Sequence, residues 1–561
     1  MAMPWSKAAR PEALRRRKDL KSESFHHLMH AAASEEELLD DGAIAVAEAM
    51  AREEKQRAAI EYVKTLHVEP FALCMYITLC VLLSSVVVLY RNGQYDFYLG
   101  EMVRKLVLGS YFDNADSEIA MTFDDVASLD DIYKFLRGPL LAALYVETTR
   151  TGVPLPPSQM RKVIDGNNML LGLVRLQQVR VRVDSCAVPS YFEVNGSSAT
   201  TIAHCYAALP RGKAAADLFD REPIVGQAAV NVNGEQAAGG GAPRTYEWMP
   251  SSVTKVGPFT GIHHQYDGAG YRVDLPLALS TARSRLLELE KDGFLDSSTR
   301  ALWVDFALYN VNINRFCTVR LLFERLESGL ITPQATIQPL SLLWYDSLDA
   351  NGLPRLLLVE SCLLGFVTFF IAYELQAMRR EGLRSYWSDK SNWYDWPSLL
   401  GFFFVAFCRY RQWSLMRDIK RTVTLDAEDG QVDGFVSLDE VRDWAEYETM
   451  TLAIDSLLVY MKVLHFLAGV PYMSTLLRTL SRASSQLIYF LIILTILINA
   501  FAISFHLAAG TQLHDWRDLG SSYMSLLFFI LGVVDLFELH RANRVVGPLL
   551  YIAFVFVILF V

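Results

Sequence analysis

The sequence predicts an α-helical membrane protein with six transmembrane spans and a re-entrant pore loop, plus an α+β extracellular domain inserted between spans one and two. Three observations carry this reading. The chain of 561 residues is 52% hydrophobic, with positive mean hydropathy, although 20% of it is charged, so its apolar residues are bunched rather than spread. Pro70–Tyr90 is uncharged and long enough to cross a hydrocarbon core of ~30 Å. Residues 93–353 hold no membrane-length apolar run and mix helical with strand periodicity.

Residues 1–69 form a charged, largely helical segment. Arg15-Arg16-Arg17-Lys18 and the lysines and arginines ahead of the first span place it in the cytosol. Its run Glu35–Lys64 reads as a solvated helix, or as one lying against the membrane or a partner. Span one, 70–90, begins too far into the chain for a signal peptide.

Within 93–353, Ser128-Leu129-Asp130-Asp131 resembles a capping box ahead of the helical stretch 132–147. Leu173–Val183 alternates strictly and reads as a half-exposed strand, with further strands at 301–316 and 335–345. The Gly-rich stretch 234–245 reads as a loop or finger. Cys186 and Cys205 lie in polar sequence on either side of the glycosylation sequon at Asn195, and both features need an oxidising, extracytosolic side. A bridge between the two cysteines is worth about 3 kcal/mol on a chain-entropy argument. Of the seven cysteines, Cys74, Cys80, Cys362 and Cys408 fall in apolar spans and behave as small hydrophobes.

Residues 354–470 supply spans two to four, a voltage-sensor-like set. Leu356–Tyr373 carries one acid, Glu360; Trp396–Cys408 is shorter; Met450–Val470 carries Asp455, Lys462 and His465. Ionisable groups inside a span are costly and mark function. Arg379, Arg380, Arg384 and Lys390, between spans two and three, suit a cytosolic loop. Arg409, Arg411, Arg417, Lys420 and Arg421 fall on the other side, against the positive-inside rule. Residues 471–561 give a linker, span five over Ser485–Ala508, the pore loop and a truncated span six, since Pro548–Val561 is shorter than the ~20 residues that a span needs.

The pore loop is read from 519–544. Leu519–Leu531 is too short to cross a bilayer but long enough for a half-helix. Gly532 can take a backbone conformation closed to other residues, and Val533–Arg544 returns as a short amphipathic helix. Irregular backbone at membrane depth is tolerated only where it lines water or is buried in protein, and a re-entrant loop repeated about an axis makes an ion pathway. The alternative is an interfacial hairpin capping a transporter.

These residues carry a resemblance. GTQ (510–512), LG (531–532) and ANRVVGP (542–548) resemble the pore of polycystin-2-type channels, the polycystin branch of the TRP superfamily. STRALWVDFALYNVNINRFCTVRLLFE (298–324), GYRVDLPL (270–277), FLRGPLLAALY (135–145) and the Cys186/Cys205 pair resemble the extracellular polycystin domain. SYWSDKSNWYDW (385–396) resembles the entry to the third span. The likeness runs in order from Pro70 to the last residue. Mucolipins share the layout, but the pore signature and the NVNIN segment fit polycystins better. The resemblance implies a homotetramer with swapped pore domains beneath a lid of four extracellular domains. It also implies a poorly selective cation channel, with heteromers including a polycystin-1-like subunit, in the plasma membrane of a cilium or flagellum.

Candidate sites follow, some from this resemblance and some from the residue pattern itself. The filter falls on Leu531, Gly532 and Val533, where the family usually reads Leu-Gly-Asp; four valines concentrate divalent cations less than four acids do. Asp535 and Glu538 on the returning helix supply a looser ring of mouth acids, or merely solvate that helix. Lys462 and His465, three apart on one helix face, fall where the family carries candidate voltage-sensing lysines. The charge of a histidine there depends on pH. Lys462 can instead pair with an acid such as Asp455 or Asp395. Glu374, Asn392 and Asp395 gather oxygen ligands that suit calcium, or hydrogen-bond helix to helix. Asp429–Glu440 fits a twelve-residue EF-hand loop through Asp429, Asp433, Gly434 and Glu440, with Gln431 as its flaw; an acidic turn without metal is the other reading.

The net charge of −10 averages compartments that never mix. No zinc-like spacing and no nucleic-acid signature is present. No nucleophile, base and oxyanion set supports an enzyme, and no cofactor is required beyond a role for calcium. The expected function is a subunit of a non-selective cation channel that passes monovalent cations and some calcium among membrane lipids. Two further readings are an anchor for an extracellular matrix or filament protein and a pore-partner subunit with little conduction of its own.

Overall fold

The computed structural model describes residues 70–90, 93–113, 120–148, 152–154, 167–186, 204–209, 219–226, 244–342, 355–388, 392–428, 434–467, 471–533 and 536–560. The chain divides into two compact units, one over Thr78–Tyr460 and one formed by the chain up to Ile77 together with Met461–Val561.

The larger unit is organised by one antiparallel sheet of six strands. In chain order these are β1 (Asn168–Arg180), β2 (Trp248–Met249), β3 (Gly270–Leu275), β4 (Thr299–Asn310), β5 (Arg315–Arg325) and β6 (Ile331–Leu340), arranged β6-β5-β4-β1-β3-β2. Valine, leucine and aromatic residues at period two build its centre, and Pro333 and Pro339 confine β6 to the edge, where a missing N–H costs no ladder bond. Two helices precede the sheet, α1 (Pro70–Tyr90), which is the first apolar stretch, and α2 (Gly93–Val107); α2 buries Leu99, Val103 and Val107 against the sheet. The predicted capping box holds: Ser128 accepts the N–H of Asp131 at 3.1 Å and Asp131 accepts the N–H of Ser128 at 3.0 Å, opening α3 (Leu129–Phe135). A later helix, α4 (Leu279–Lys291), buries Ala282, Leu286 and Leu289 in the same core.

Two strand expectations change. Leu173–Val183 was expected to be half-exposed, but β1 is buried on both faces. The face opposite the main core is covered by an aromatic cluster around Trp303, Phe259 and Tyr266, and by Met416, Leu438 and Val441 from the helical half. Alternation therefore carried no information about exposure. The expected strand 301–316 is two strands and a reversal. Asn310 Oδ1 accepts the N–H groups of Asn312 and Ile313 at 3.0 and 3.3 Å, and Asn314 sits at φ +50°, so NVNIN is the turn between β4 and β5.

The helical half of this unit consists of α5 (Arg355–Glu381), α6 (Leu383–Ser388), α7 (Asn392–Glu428) and α8 (Asp439–Leu467), whose last turns belong to the other unit. The smaller unit holds α9 (Pro471–Ala509), α10 (Leu519–Ile530), α11 (Leu536–Ala542) and α12 (Val546–Phe560). Among the described residues, Leu356–Arg380 and Arg482–Ala509 are long and apolar enough to cross a membrane; Leu73–Val88, Leu519–Ile530 and Val546–Val557 are shorter apolar helices.

Candidate functional site

In the smaller unit, a half-helix, a glycine turn and a returning helix lie between the long apolar helix α9 and the shorter apolar helix α12. Asp518 caps α10, accepting the Ser521 N–H at 2.9 Å and its hydroxyl at 2.9 Å, and these bonds hold its carboxyl below the ordinary aspartate range. At the other end, Gly532 N–H donates to Phe529 O at 3.0 Å and Val533 N–H to Phe528 O at 2.9 Å, with Gly532 at φ +84°. This is a Schellman cap. It consumes the carbonyls of Phe528 and Phe529 and turns the chain at the expected glycine.

The hairpin is tied down by aromatic packing. Phe505 of α9 stacks on Trp516 at 4.6 Å, Phe529 meets both edge-on, and Phe554 of α12 closes the cluster against Phe501 and Phe529. The His506 ring Nδ1 donates to the Trp516 carbonyl at 2.8 Å. Gly547 passes so close to α11 that an added Cβ would sit 2.7 Å from the Leu539 carbonyl. The turn itself stays open: Leu531 is 76% and Val533 65% exposed. Glu538 is exposed on α11, and Asp535 lies outside the described residues.

In the larger unit, α5, α7 and α8 enclose polar groups at successive levels. Arg409 of α7 pairs with Glu360 of α5 and Glu448 of α8, and Gln412 donates to Glu448 at 2.6 Å. Arg411 pairs with Glu440 at 3.1 Å and stacks on Trp444, while Arg417 lies over Trp413. These three arginines, which depart from the positive-inside pattern, thus each have an acid or an aromatic face. The side chains of Lys420 and Arg421 lie outside the described residues.

Asp455 of α8 is buried against Gly401 of α7. Lower on α5, Glu374 accepts the Tyr386 hydroxyl at 2.7 Å, which in turn accepts Trp396 Nε1–H at 3.0 Å. Asp395 is buried, and the side chain of Asn392 lies outside the described residues. In the smaller unit, Lys462 places its ammonium 5.3 Å from the Tyr76 ring centre. The side chain of His465 lies outside the described residues. No group of three or more histidines, cysteines or acids is set to hold a metal among the described residues.

The loop read as an EF-hand joins α7 to α8. Asp429 and Asp433 lie outside the described residues, and Glu440 engages Arg411. Its second half docks on the sheet instead. Phe435 bridges to Gly172, Leu173 N–H donates to Gly434 O at 3.2 Å, and Arg175 stacks over the Phe435 ring at 4.1 Å. Gly172, at φ +67°, makes room, since an added Cβ would lie 2.7 Å from Gly434 O. Asp439 then enters a charged cluster on the sheet. Arg320 forks onto Asp305 at 2.7 and 2.9 Å and reaches Asp439 at 2.8 Å, and Arg442 binds the other Asp439 oxygen at 2.7 Å. Desolvation raises the Asp305 carboxyl against the pull of Arg320, and the acids raise Arg320 in turn. Cys186 and Cys205 are disulfide-bonded with Cα atoms 5.6 Å apart, and Asn195 lies outside the described residues.

Sequence reasoning missed the Arg320–Asp439 junction and the Glu360–Arg409–Glu448 set. The signal for the second was present in the acids at Glu360 and Glu448, one on each helix flanking Arg409.

The inserted sheet domain and the capped half-helix between α9 and α12 are the layout expected of a TRP-like membrane channel with an extracellular domain. Known sequences agree: the Polycystin domain matches residues 122–343 and the Polycystin cation channel family matches residues 348–561. Polycystin-2-like protein 2 of Mus musculus is 25% identical over 488 residues, covering 85% of this chain and 70% of the relative. Polycystin-2 of Caenorhabditis elegans is 27% identical over 84% of this chain and 60% of its own length. Polycystin-2 of Danio rerio is 26% identical over 89% of this chain and 50% of its own. Polycystin-1-like protein 3 of Mus musculus is 24% identical over 77% of this chain and 18% of its own. The chain belongs to the polycystin cation-channel family and is a membrane protein.

Proposed function

We propose that the chain is a subunit of a tetrameric, poorly selective cation channel with six spans. Monovalent cations pass a constriction made by Leu531, Gly532 and Val533 from each subunit. The observation that carries this is the Schellman-capped half-helix, which ends in three exposed residues between α9 and α12. Their carbonyls lie beyond the two that the cap consumes and remain for ions. Val533 in place of an acid lowers the calcium preference. Asp535 and Glu538 act as a weaker outer ring, and Lys462 and His465 give shallow voltage dependence, each gating charge being worth ~2.3 kcal/mol per 100 mV. The polycystin domain, glycosylated at Asn195, lies outside the cell or in the equivalent compartment, and the channel works in a cilium or flagellum. Calcium sites at Glu374, Asn392 and Asp395 and at Asp429, Asp433 and Glu440 belong to this reading as modulators.

The test is whole-cell current from the full-length protein, comparing wild type with Val533→Asp in calcium and in sodium. Wild-type current together with a rise in relative calcium permeability supports the assignment. Exposed Val533 also favours a second reading, a pore partner in a heteromer with a polycystin-1-like subunit or an anchor for a matrix protein. Surface tetramers that pass no current in either form would leave that reading standing.

A further inference from the structure

Asp455 is a buried acid in the middle of α8. It is 2% exposed, and its Oδ2 has no hydrogen-bond partner. Its carboxyl group fills the space that a side chain at position 401 would need, lying directly on the α7 backbone at Gly401. The ionisable groups around it are otherwise engaged or acidic. Toward the start of α8, Glu360 of α5 and Glu448 of α8 share Arg409 of α7. Further along the bundle, Glu374 of α5 takes the Tyr386 hydroxyl, and Asp395 of α7 is a second buried acid. The α1 helix contributes the buried Cys80 thiol and a Ser84 hydroxyl 2.7 Å from the Tyr460 hydroxyl. On α8 itself, Lys462 lies two helical turns on, with its ammonium over Tyr76.

An isolated carboxylate in such a place must gain a positive charge. No side chain among the described residues supplies it, and the α7 backbone at Gly401 covers one side of the carboxylate, where a hydrated metal ion would need space. A proton needs no room. We propose that Asp455 is a proton-binding site of the bundle, taking its proton from bulk water and returning it there, and that this packing of α8 on Gly401 is the protonated arrangement. Loss of the proton places a bare negative charge between two acidic levels, Glu360 with Glu448 and Glu374 with Asp395, and drives α8 off Gly401. The inference rests on the helical bundle and not on conduction.

The test is infrared spectroscopy of the full-length protein in lipid nanodiscs, comparing wild type with Asp455→Asn across pH and with or without sodium. The difference spectrum at neutral pH should contain the carbonyl stretch of one protonated carboxylic acid. That band should vanish at alkaline pH, together with a drop in the melting temperature of wild type that the variant does not share. Absence of the band at neutral pH overturns the proposal, as does a band that appears only when sodium is withdrawn. Should the asparagine variant fail to fold, Asp455→Leu provides the same subtraction. Because the band is read without current, a silent channel leaves this test intact.

Discussion

Arg320 in β5 and Asp439 at the first turn of α8 are 119 residues apart in sequence and meet at 2.8 Å. The contact joins the polycystin domain to the helix that carries Lys462 and His465. Asp305, Arg442 and the face of Phe259, 4.1 Å from the Arg320 guanidinium, complete its surroundings. A buried charge cluster of this kind contributes little net stability when intact, and its weight appears when one member is removed.

Replacing Arg320 by methionine strands Asp305 and Asp439 without their shared cation. The expected loss is about 3–5 kcal/mol, read as a lower melting temperature and poorer recovery of folded protein. Arg320→Lys should recover only part of this, because an ammonium cannot fork onto Asp305 and still reach Asp439. A methionine variant as stable as wild type would show that the cluster is dispensable.

Glu324 makes a second testable site. Its buried carboxylate accepts the N–H groups of Ile262, His263 and His264, the closest at 2.7 Å, and the Tyr266 hydroxyl at 2.8 Å. Burial and this acid push the Tyr266 hydroxyl well above its ordinary range. Glu324→Gln turns an amide N–H2 toward donors, and a cost of about 2 kcal/mol is expected. Hydrogen exchange should speed at residues 262–264 while the β4–β5 ladder stays protected. Uniform loss of protection would mean instead that residues 262–264 and the sheet unfold together.

Much of this was legible in the sequence, and the failures have physical causes. The Ser128–Asp131 box and the Gly532 turn were readable because each is a local rule satisfied within a few residues. Leu173–Val183 misled because alternation reports two different faces, whereas here both are covered by segments hundreds of residues away or in separate loops. The stretch 301–316 misled because Val311 and Ile313 kept strand periodicity through an asparagine-driven reversal. The arginines after span three broke the charge rule, and only the fold shows that Glu360 and Glu448 meet Arg409. Glu324 carried no signal at all, since three of its four donors are backbone groups.

Asp518 gives a pH prediction. Its carboxyl is held below the ordinary value by the Ser521 N–H, then by the Ser521 hydroxyl. A depressed acid contributes stability that is fully present above the unfolded aspartate range and is lost as pH falls through the folded value. Acidification should therefore loosen the start of α10. Asp518→Asn caps almost as well at neutral pH but should remove this part of the acid sensitivity, while Asp518→Ala should cost about 1 kcal/mol at neutral pH. Melting curves of the three proteins across acidic pH separate these outcomes, and parallel curves for wild type and Asp518→Asn would rule the cap out as a source of acid sensitivity.

Gly532 sits at φ +84° with nothing within 4 Å of a would-be Cβ, so space is not what selects glycine there. The backbone is. A residue with a side chain pays about 1–2 kcal/mol to hold the left-handed conformation, and asparagine pays less because it visits that region more readily. The expected order of stability is glycine, asparagine, alanine, valine, the last stiffened by branching at Cβ. Current should fall in the same order if the pathway runs past Val533, because losing the cap releases the Phe528 and Phe529 carbonyls and re-aims the three exposed residues after them. Melting temperature and current measured on all four proteins decide two things separately. An alanine variant that melts with wild type would show that the positive φ is not required, whereas a stability order obeyed without any change in current would place the ion path elsewhere.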